Sequence, residues 1–259
     1  MQIPKMIVTD LDHTLLHTNK TISNYSIKVF KKCCKLGIKL VFATARPKRT
    51  VTHFTRQLPI DALIVHNGAV VYAGEQTLDS FGIAPDVRDN LLLSLSKDYH
   101  HSKLYVEIDD TLYANFDVST IWGNIEVTIT DFTDLPNKPA DKIGICISSF
   151  EDIERFSKYL PSDLYIEMTE GILGMIMSRS ATKWAAIQVV ANHFGIQTSK
   201  VIAFGDDYND IEMLRECGIG VAVANAIDEV KEAANYICDT NDNDGVAKWI
   251  NENIWRVQE

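Results

Sequence analysis

Cysteine is scarce and unpatterned in this chain. Cys33, Cys34, Cys146, Cys217 and Cys238 form an odd set with no C-x-x-C spacing. That excludes a disulfide framework and a zinc site of ordinary spacing, and points to a reducing compartment. Basic charge is also in deficit. Lys+Arg number 25 against 35 Asp+Glu, a formal net charge of −10 with a pI near 5.2. Such a balance offers no basic face to nucleic acid or to an anionic membrane, and a small anionic ligand would need a local cation to receive it. No apolar run approaches the ~18 residues of a membrane span. The opening MQIPKMIVTDLD lacks the apolar core and cleavage site of a signal peptide. A cytoplasmic protein without nucleic-acid, membrane or obligatory protein partners is expected. Repeats and low-complexity linkers are missing too.

What remains is ordinary globular composition, 46% hydrophobic and 23% charged over 259 residues, enough for one large domain or two unequal ones. From residue 1 to 82, short apolar runs alternate with amphipathic segments. KMIVTD, IKLVFAT and ALIVHNG read as strands. SNYSIKVFKKCCKLG reads as a helix with Ser23 as N-cap and Gly37 as its stop, and PKRTVTHFTRQL as a helix opened by proline. AVVYAGEQTL reads as a hairpin. Between 83 and 178 the pattern changes to hairpins and helices: APDVRDNLLLSLSKDY, the hairpin KLYVEIDDTLYANF with Asp109-Asp110 in its turn, the strands VTITDF and KIGICIS, SFEDIERFSKYL capped by Ser149, and the hairpin LYIEMTEGILGMIMS. From 179 the alternation resumes, with ATKWAAIQVVANHFG, KVIAFGD, DYNDIEMLREC, GIGVAVA, DEVKEAANY and GVAKWINENIW. The expectation is an α/β core of residues 1–82 and 179–259 built on a parallel sheet, interrupted by an α+β insertion at 83–178.

Chemistry gathers where the core strands end. VTDLDHTLL places Asp10 at the end of a strand with Asp12 two positions on and Thr14 after it. Residues two apart on an extended segment point the same way, so the two carboxylates repel unless a cation or a proton lies between them. A solvated strand end reads equally well from this stretch alone. VFATARP ends a second strand with Thr44, Ala45 and Arg46, where a hydroxyl and loop amides suit a phosphate oxygen, or where Thr44 simply caps a helix. HNGA ends a third strand with Asn67, or is a plain turn. Lys183 opens the helix after the insertion, a place where most lysines face solvent. FGDDYNDIEML sets Asp206, Asp207, Asn209 and Asp210 directly after a strand, as a ligand cluster or as an acidic helix cap. Oxygen donors of this kind suit Mg²⁺, not zinc or copper.

Together, D-L-D-x-T-L, the strand-end Thr44, Lys183 and G-D-D-x-N-D resemble the four motifs of the haloacid dehalogenase superfamily of phosphatases. The hundred-residue insertion between the second and third resembles its Cof-type branch with a class IIB cap, and N-G-A fits the same branch. The resemblance implies a Rossmann-like three-layer core with a parallel sheet and an α+β cap that selects the substrate. Asp10 would be the nucleophile forming an aspartyl-phosphate, and Asp12 the general acid and then base. Mg²⁺ would rest on Asp10, Asp206 and the carbonyl of Asp12, with Asp210 in support. Thr44, Ala45, Arg46, Asn67, Lys183 and Asn209 would hold the phosphate and substrate. The family usually has glycine where this chain has His13, Ala45 and Trp184. No functional group is lost by these departures. His13 either adds an imidazole near the entrance or is a surface residue.

The implied activity is a Mg²⁺-dependent phosphatase acting on a small phosphorylated metabolite. A phosphomutase of the same fold is the alternative, and a non-catalytic phosphate-sensing regulator is a reading of another class. Residues 83–178 carry 7 Lys+Arg and 17 Asp+Glu, which is the chain's whole net excess. An acidic cap disfavours a bisphosphate and favours a neutral hydroxylated body, hence a sugar phosphate or similar monoester. Tyr105, Tyr113 and Trp122 are candidates to stack on a sugar ring or to fill the core.

Overall fold

The computed structural model describes residues 3–99, 102–169 and 172–254. Glu170 and Gly171 of the last expected hairpin, and Trp255 of the last expected helix, lie outside them. The chain divides into two compact units, Met1–Asp79 with Thr182–Glu259, and Ser80–Ala181.

In the first unit β1 (Met6–Thr9) is followed by α1 (Asn24–Lys35), β2 (Lys39–Ala43), α2 (Lys48–Thr55), β3 (Ala62–Val65), β4 (Val70–Ala73) and β5 (Gln76–Ser80). Ser23 caps α1 by accepting the Ser26 amide, as expected. In the second unit α3 (Pro85–Asp98), β6 (Leu104–Ile108), β7 (Thr111–Ala114), α4 (Ser119–Trp122), β8 (Thr128–Ile129), β9 (Lys142–Cys146), α5 (Phe150–Ser157), β10 (Leu164–Thr169) and β11 (Leu173–Ser178) follow. The chain then returns to the first unit through α6 (Lys183–His193), β12 (Val201–Gly205), α7 (Ile211–Glu216), β13 (Ile219–Val223), α8 (Asp228–Ala233), β14 (Tyr236–Cys238) and α9 (Gly245–Ile254).

The first unit's sheet runs β14-β13-β12-β1-β2-β3-β4-β5. From β14 to β3 every pairing is parallel, and β4 then turns back antiparallel to β3, so the expected parallel sheet is mixed at one edge. Both faces are covered, because successive strand residues meet different layers. Phe204 stacks edge-on against Trp249 of α9, 5.6 Å between ring centres. The next residue, Gly205, faces Asp210 so closely that a Cβ would lie 2.4 Å from it. Helices α1 and α9 pack together, and α6, α7 and α8 form the other group. This is a three-layer α/β sandwich.

The second unit is a six-stranded sheet, β10-β11-β9-β6-β7-β8, antiparallel except where β8 joins β7. All of β6 is buried, since both of its faces are packed. Leu104, Val106 and Ile108 join Leu91, Leu92 and Leu95 of α3 and Phe156 of α5. Tyr105 points the other way, to Leu112, Val118 and Leu173. Asp109 and Asp110 take left-handed φ of 52° and 62° in the β6–β7 turn, which their short polar side chains tolerate. The capping box expected at Ser149 forms with Asp152.

Three local expectations are corrected. VTITDF pairs only at Thr128–Ile129. DYNDIEMLREC is not one helix, because reciprocal capping between Asp207 and Asp210 closes a separate turn over Tyr208–Asp210 before α7. DEVKEAANY stops as a helix at Ala233. There Asn235 exchanges two hydrogen bonds with Gly220, its amide donating to the Gly220 carbonyl and its side-chain oxygen accepting from the Gly220 amide. Those bonds pull Tyr236–Cys238 onto the sheet edge as β14.

Candidate active site

Strands β12, β1, β2 and β3 are adjacent and parallel, so their C-terminal ends share one edge of the sheet. A ligand reaches α/β sheets there. Asp10 follows β1 directly, and its amide extends the β1–β12 pairing by donating to Phe204 O at 3.0 Å. Asp12 is extended, His13 turns left-handed at φ 58°, and the buried Thr14 comes back to donate its hydroxyl to Asp206 Oδ1. The family's usual glycine at position 13 is thereby explained: the loop needs a positive φ, which glycine adopts without strain. The His13 ring is exposed.

Lys183 is the first residue of α6, whose N-cap Thr182 accepts the Ala185 amide. Gly68, at φ 105°, lets the turn after β3 press against this cap, since a Cβ there would lie 2.2 Å from the Thr182 carbonyl oxygen. The Lys183 side chain is 1% exposed and its Nζ donates to Asp10 Oδ1 at 2.8 Å and to Asp210 Oδ1 at 2.6 Å. Asp210, wholly buried, uses its other oxygen to accept the amides of Asp206 (2.9 Å) and Asp207 (3.2 Å). The carboxylates of Asp10, Asp206 and Asp210 lie within 4.8 Å of one another. Asp12 is not in that group. Arg46 forks onto its carboxylate, Nε to Oδ2 at 2.5 Å and Nη2 to Oδ1 at 2.7 Å, and Lys20 Nζ donates to Oδ1 at 2.8 Å.

The electrostatics separate Asp10 and Asp206 from Asp12. Burial drives Asp10 well above the ordinary carboxylate range, against the pull of Lys183 and with the charges of Asp210 and Asp206 adding to it. Burial likewise carries Asp206 up to about 7, though the Thr14 hydroxyl opposes it. Burial works against the Lys183 ammonium, yet Asp10 and Asp210 outweigh it and raise its pKa. Asp12 is also partly buried, but the hydrogen bonds and charges of Arg46 and Lys20 hold it down to about 2. One lysine therefore does not neutralise the cluster, and a hard dication coordinated by oxygen would.

Thr44, 1% exposed, is tied through its amide to Ile64 O, and its hydroxyl accepts the Arg46 amide at 3.2 Å. It does not cap α2, where Pro47 holds that position. Ala45 is half-buried in the same loop and offers only main chain. Asn67 is buried and accepts from Asn209 Nδ2 at 2.8 Å, which joins the turn after β3 to the loop after β12. Asp10, Asp12, Thr44, Ala45, Arg46, Asn67, Asp206, Asn209 and Asp210 stand on the loops and turns after β1, β2, β3 and β12, and Lys183 opens α6. Two contributors were not anticipated. Thr14 had its signal in the D-x-D-x-T spacing. Lys20, which reaches Asp12 from a left-handed turn, had none. In the second unit Tyr105 is 2% exposed, edge-on to Trp122 with ring centres 5.0 Å apart and flat against Gly144. It is a core residue and has no free face for a sugar.

A model of the family described as haloacid dehalogenase-like hydrolases matches residues 7–250. A relative in Bacillus subtilis, 5-amino-6-(5-phospho-D-ribitylamino)uracil phosphatase YitU, is 31% identical, over 96% of this chain and 97% of its own. Pyridoxal phosphate phosphatase YbhA of Escherichia coli is 27% identical, over 95% and 97%. The solved structure of a subclass IIB sugar phosphatase, BT4131, shares the fold with a TM-score of 0.80 at 24% identity, over 96% of this chain and 98% of that one. With strand ends carrying an aspartate pair, a threonine, an asparagine and a further aspartate cluster, and a buried lysine opening α6 beside them, the chain belongs to the haloacid dehalogenase-like hydrolases, as an enzyme of their Cof-type phosphatase branch.

Proposed function

We propose that the protein is a Mg²⁺-dependent phosphatase that hydrolyses a small phosphomonoester through an aspartyl-phosphate on Asp10. The observation that carries this is the fully buried Lys183 held between Asp10 and Asp210. A cation so placed offsets the repulsion between an attacking carboxylate and a phosphate.

Asp10 attacks phosphorus, and the bond to the leaving oxygen breaks. Asp12 gives that oxygen a proton. Water then attacks the aspartyl-phosphate and gives a proton to Asp12, the bond from phosphorus to the Asp10 oxygen breaks, and phosphate and free Asp10 are released. In the present geometry Asp12 is ionised against Arg46, which is the form needed for the second half. Its acid role requires the carboxyl to leave the guanidinium as substrate arrives. Thr44, Asn209 and Lys183, with Asn67 and the main chain at Ala45 and Arg46, would hold the phosphoryl oxygens. Mg²⁺ would be held by the carboxylates of Asp10 and Asp206 and the Asp12 carbonyl, with Asp210 in support, and would supply charge neutralisation where nucleophile meets phosphate. The donor set fits it: three clustered carboxylates, two of them pushed up by burial and mutual repulsion.

Residues 83–178 would act as the cap that selects the substrate. Their acidity supports a singly phosphorylated ester with a neutral, hydroxylated body, such as a sugar phosphate. The relative YitU, named for a phosphoribityl substrate, is consistent with that class. Purified protein should hydrolyse an aryl phosphate with Mg²⁺, stop with chelator, and lose at least about 10³-fold in kcat as Asp10→Asn. Undiminished turnover by Asp10→Asn would sink the nucleophile assignment. A panel of phosphorylated sugars, polyols and cofactors decides the substrate class.

A further inference from the structure

The loop that carries Asp12 and Thr14 leaves the sheet in an unfavourable conformation, with a non-glycine residue, His13, in the left-handed region. Such a conformation costs about 1–3 kcal/mol and persists only where the surroundings over-determine it. Two asparagines far away in sequence do so. Asn225, just past β13, donates Nδ2 to the His13 carbonyl at 2.7 Å. Its Oδ1 accepts the backbone amide of Asn241 at 2.9 Å. Asn241, 4% exposed in the turn after β14, donates its own Nδ2 to the Leu16 carbonyl at 2.9 Å. The two carbonyls gripped in this way flank Thr14 and Leu15. The peptide plane of the His13 carbonyl is the one that leads into Thr14, and the Thr14 hydroxyl is bonded to Asp206. Further out, Thr18 is fastened to Asp242 through amide and hydroxyl, both at 2.7 Å, and His17 Nε2 lies 3.0 Å from Asp244, which also accepts from Ser26.

We infer that Asn225 and Asn241 are positioning residues for the acidic cluster. They hold the strained loop so that Thr14 orients the Asp206 carboxylate, and so that Asp10, Asp12 and Asp206 are presented together. Neither asparagine bonds to an aspartate of the cluster. They act through the backbone of residues 13–16, from the ends of β13 and β14, so two strands that lend no group to the chemistry fix its geometry. The metal-binding consequence rests on the phosphatase reading above; the restraint on the loop does not.

The test compares Asn225→Ala, Asn241→Ala and, as control, Asn251→Ala on the exposed side of α9. Hydrogen exchange of residues 11–17 in metal-free protein reads the restraint, and calorimetric titration with Mg²⁺ reads the consequence. Asn225→Ala should speed exchange in this segment about tenfold and weaken Mg²⁺ about 10-fold or more, the size expected when a group behind a ligand is removed. Thermal unfolding of the whole should change little. Asn241→Ala should do the same more strongly. It is the buried member, and if it does not fold, the exposed Asn225 still decides. The control should leave both readouts alone. Unchanged exchange, or unchanged Mg²⁺ affinity in Asn225→Ala, overturns the proposal. A wild-type protein that takes up no Mg²⁺ overturns the phosphatase reading instead, and the exchange rates then still decide whether the asparagines hold the loop.

Discussion

Lys183 in the first unit and Arg88 in the second are both 1% exposed, yet their partners differ in kind. Arg88 donates to the carbonyls of Pro136 (2.9 Å) and Lys138 (2.6 Å) and to its neighbour Asp89, so it pins one loop of its own unit. Lys183 donates to carboxylates at the ends of two different strands. A buried cation on carbonyls fixes structure, whereas one on converging carboxylates stores charge where a ligand can use it. Replacement should separate the two. Lys183→Met leaves mutually repelling acids uncompensated. It should abolish measurable turnover, a loss of at least about 10³-fold, and destabilise the first unit unless Mg²⁺ is added. Arg88→Met should cost about 2–4 kcal/mol through unsatisfied carbonyls and leave kcat of the remaining folded enzyme intact. Kinetics and calorimetry on both variants read the contrast, and equal kinetic damage would erase it.

Within the first unit the pair of Arg46 and Asp12 sharpens the same point on a smaller scale. Here the cation serves an acid that must change protonation during turnover. Arg46→Ala removes the strongest of the influences that hold Asp12 at about 2, so its carboxyl rises toward the ordinary range. The acidic limb of the pH–rate profile should move upward with it, and kcat should fall about 10–100-fold. Lys20→Ala, removing the single exposed bond, should shift the limb less. A profile unmoved in Arg46→Ala would show that the guanidinium does not control this proton.

The acids of the second unit give the reverse case. Asp141 is 4% exposed, and burial, with the charge of the neighbouring Glu107 next, raises it to about 7. Because the folded state then holds a proton that the unfolded chain, near pH 4, has released, stability is highest at low pH and falls as pH rises from about 4 to 7. Asp141→Asn keeps an oxygen for the Asp110 amide without the charge. It should flatten this dependence and gain about 1–3 kcal/mol at pH 8, as read by urea unfolding at pH 5 and pH 8. Catalysis should be untouched. A parallel pH dependence in the variant would acquit Asp141.

Much of the site was legible because its residues stand at the ends of short apolar runs. KMIVTD, IKLVFAT and KVIAFGD each close on a functional group, and parallel pairing brings those ends to one edge. Lys183 is legible by its place one helix before the last of them. What sequence could not supply were contacts across long separations. Lys20 finds Asp12 only because a left-handed turn aims it there. Asn225 and Asn241 meet residues 13–16 only after β13 is laid beside β12 and β14 beside β13. The strand β14 begins at Tyr236, the last residue of an expected helix, and had no signal of its own, since its pairing with β13 depends on the bonds between Asn235 and Gly220. Tyr105 alternates correctly on its strand, but which face of a sheet is covered is a property of the packed unit.

His13 makes the smallest prediction and bears on how the two units tolerate strain. Asp109 and Asp110 put left-handed residues in a hairpin tip of the second unit, where aspartate suits the turn. His13 does so beside the reactive loop with a ring that touches no partner in the acidic cluster. His13→Gly removes backbone strain at the low end of its range, about 1 kcal/mol because histidine tolerates positive φ better than most residues, but loosens the unfolded chain by a comparable amount. The net change in stability should therefore stay within about 0.5 kcal/mol, with kcat within about twofold, because the carbonyl that Asn225 grips belongs to the backbone and survives the substitution. A large rise in KM for a phosphorylated substrate, with kcat preserved, would instead assign the imidazole a place at the entrance to the site.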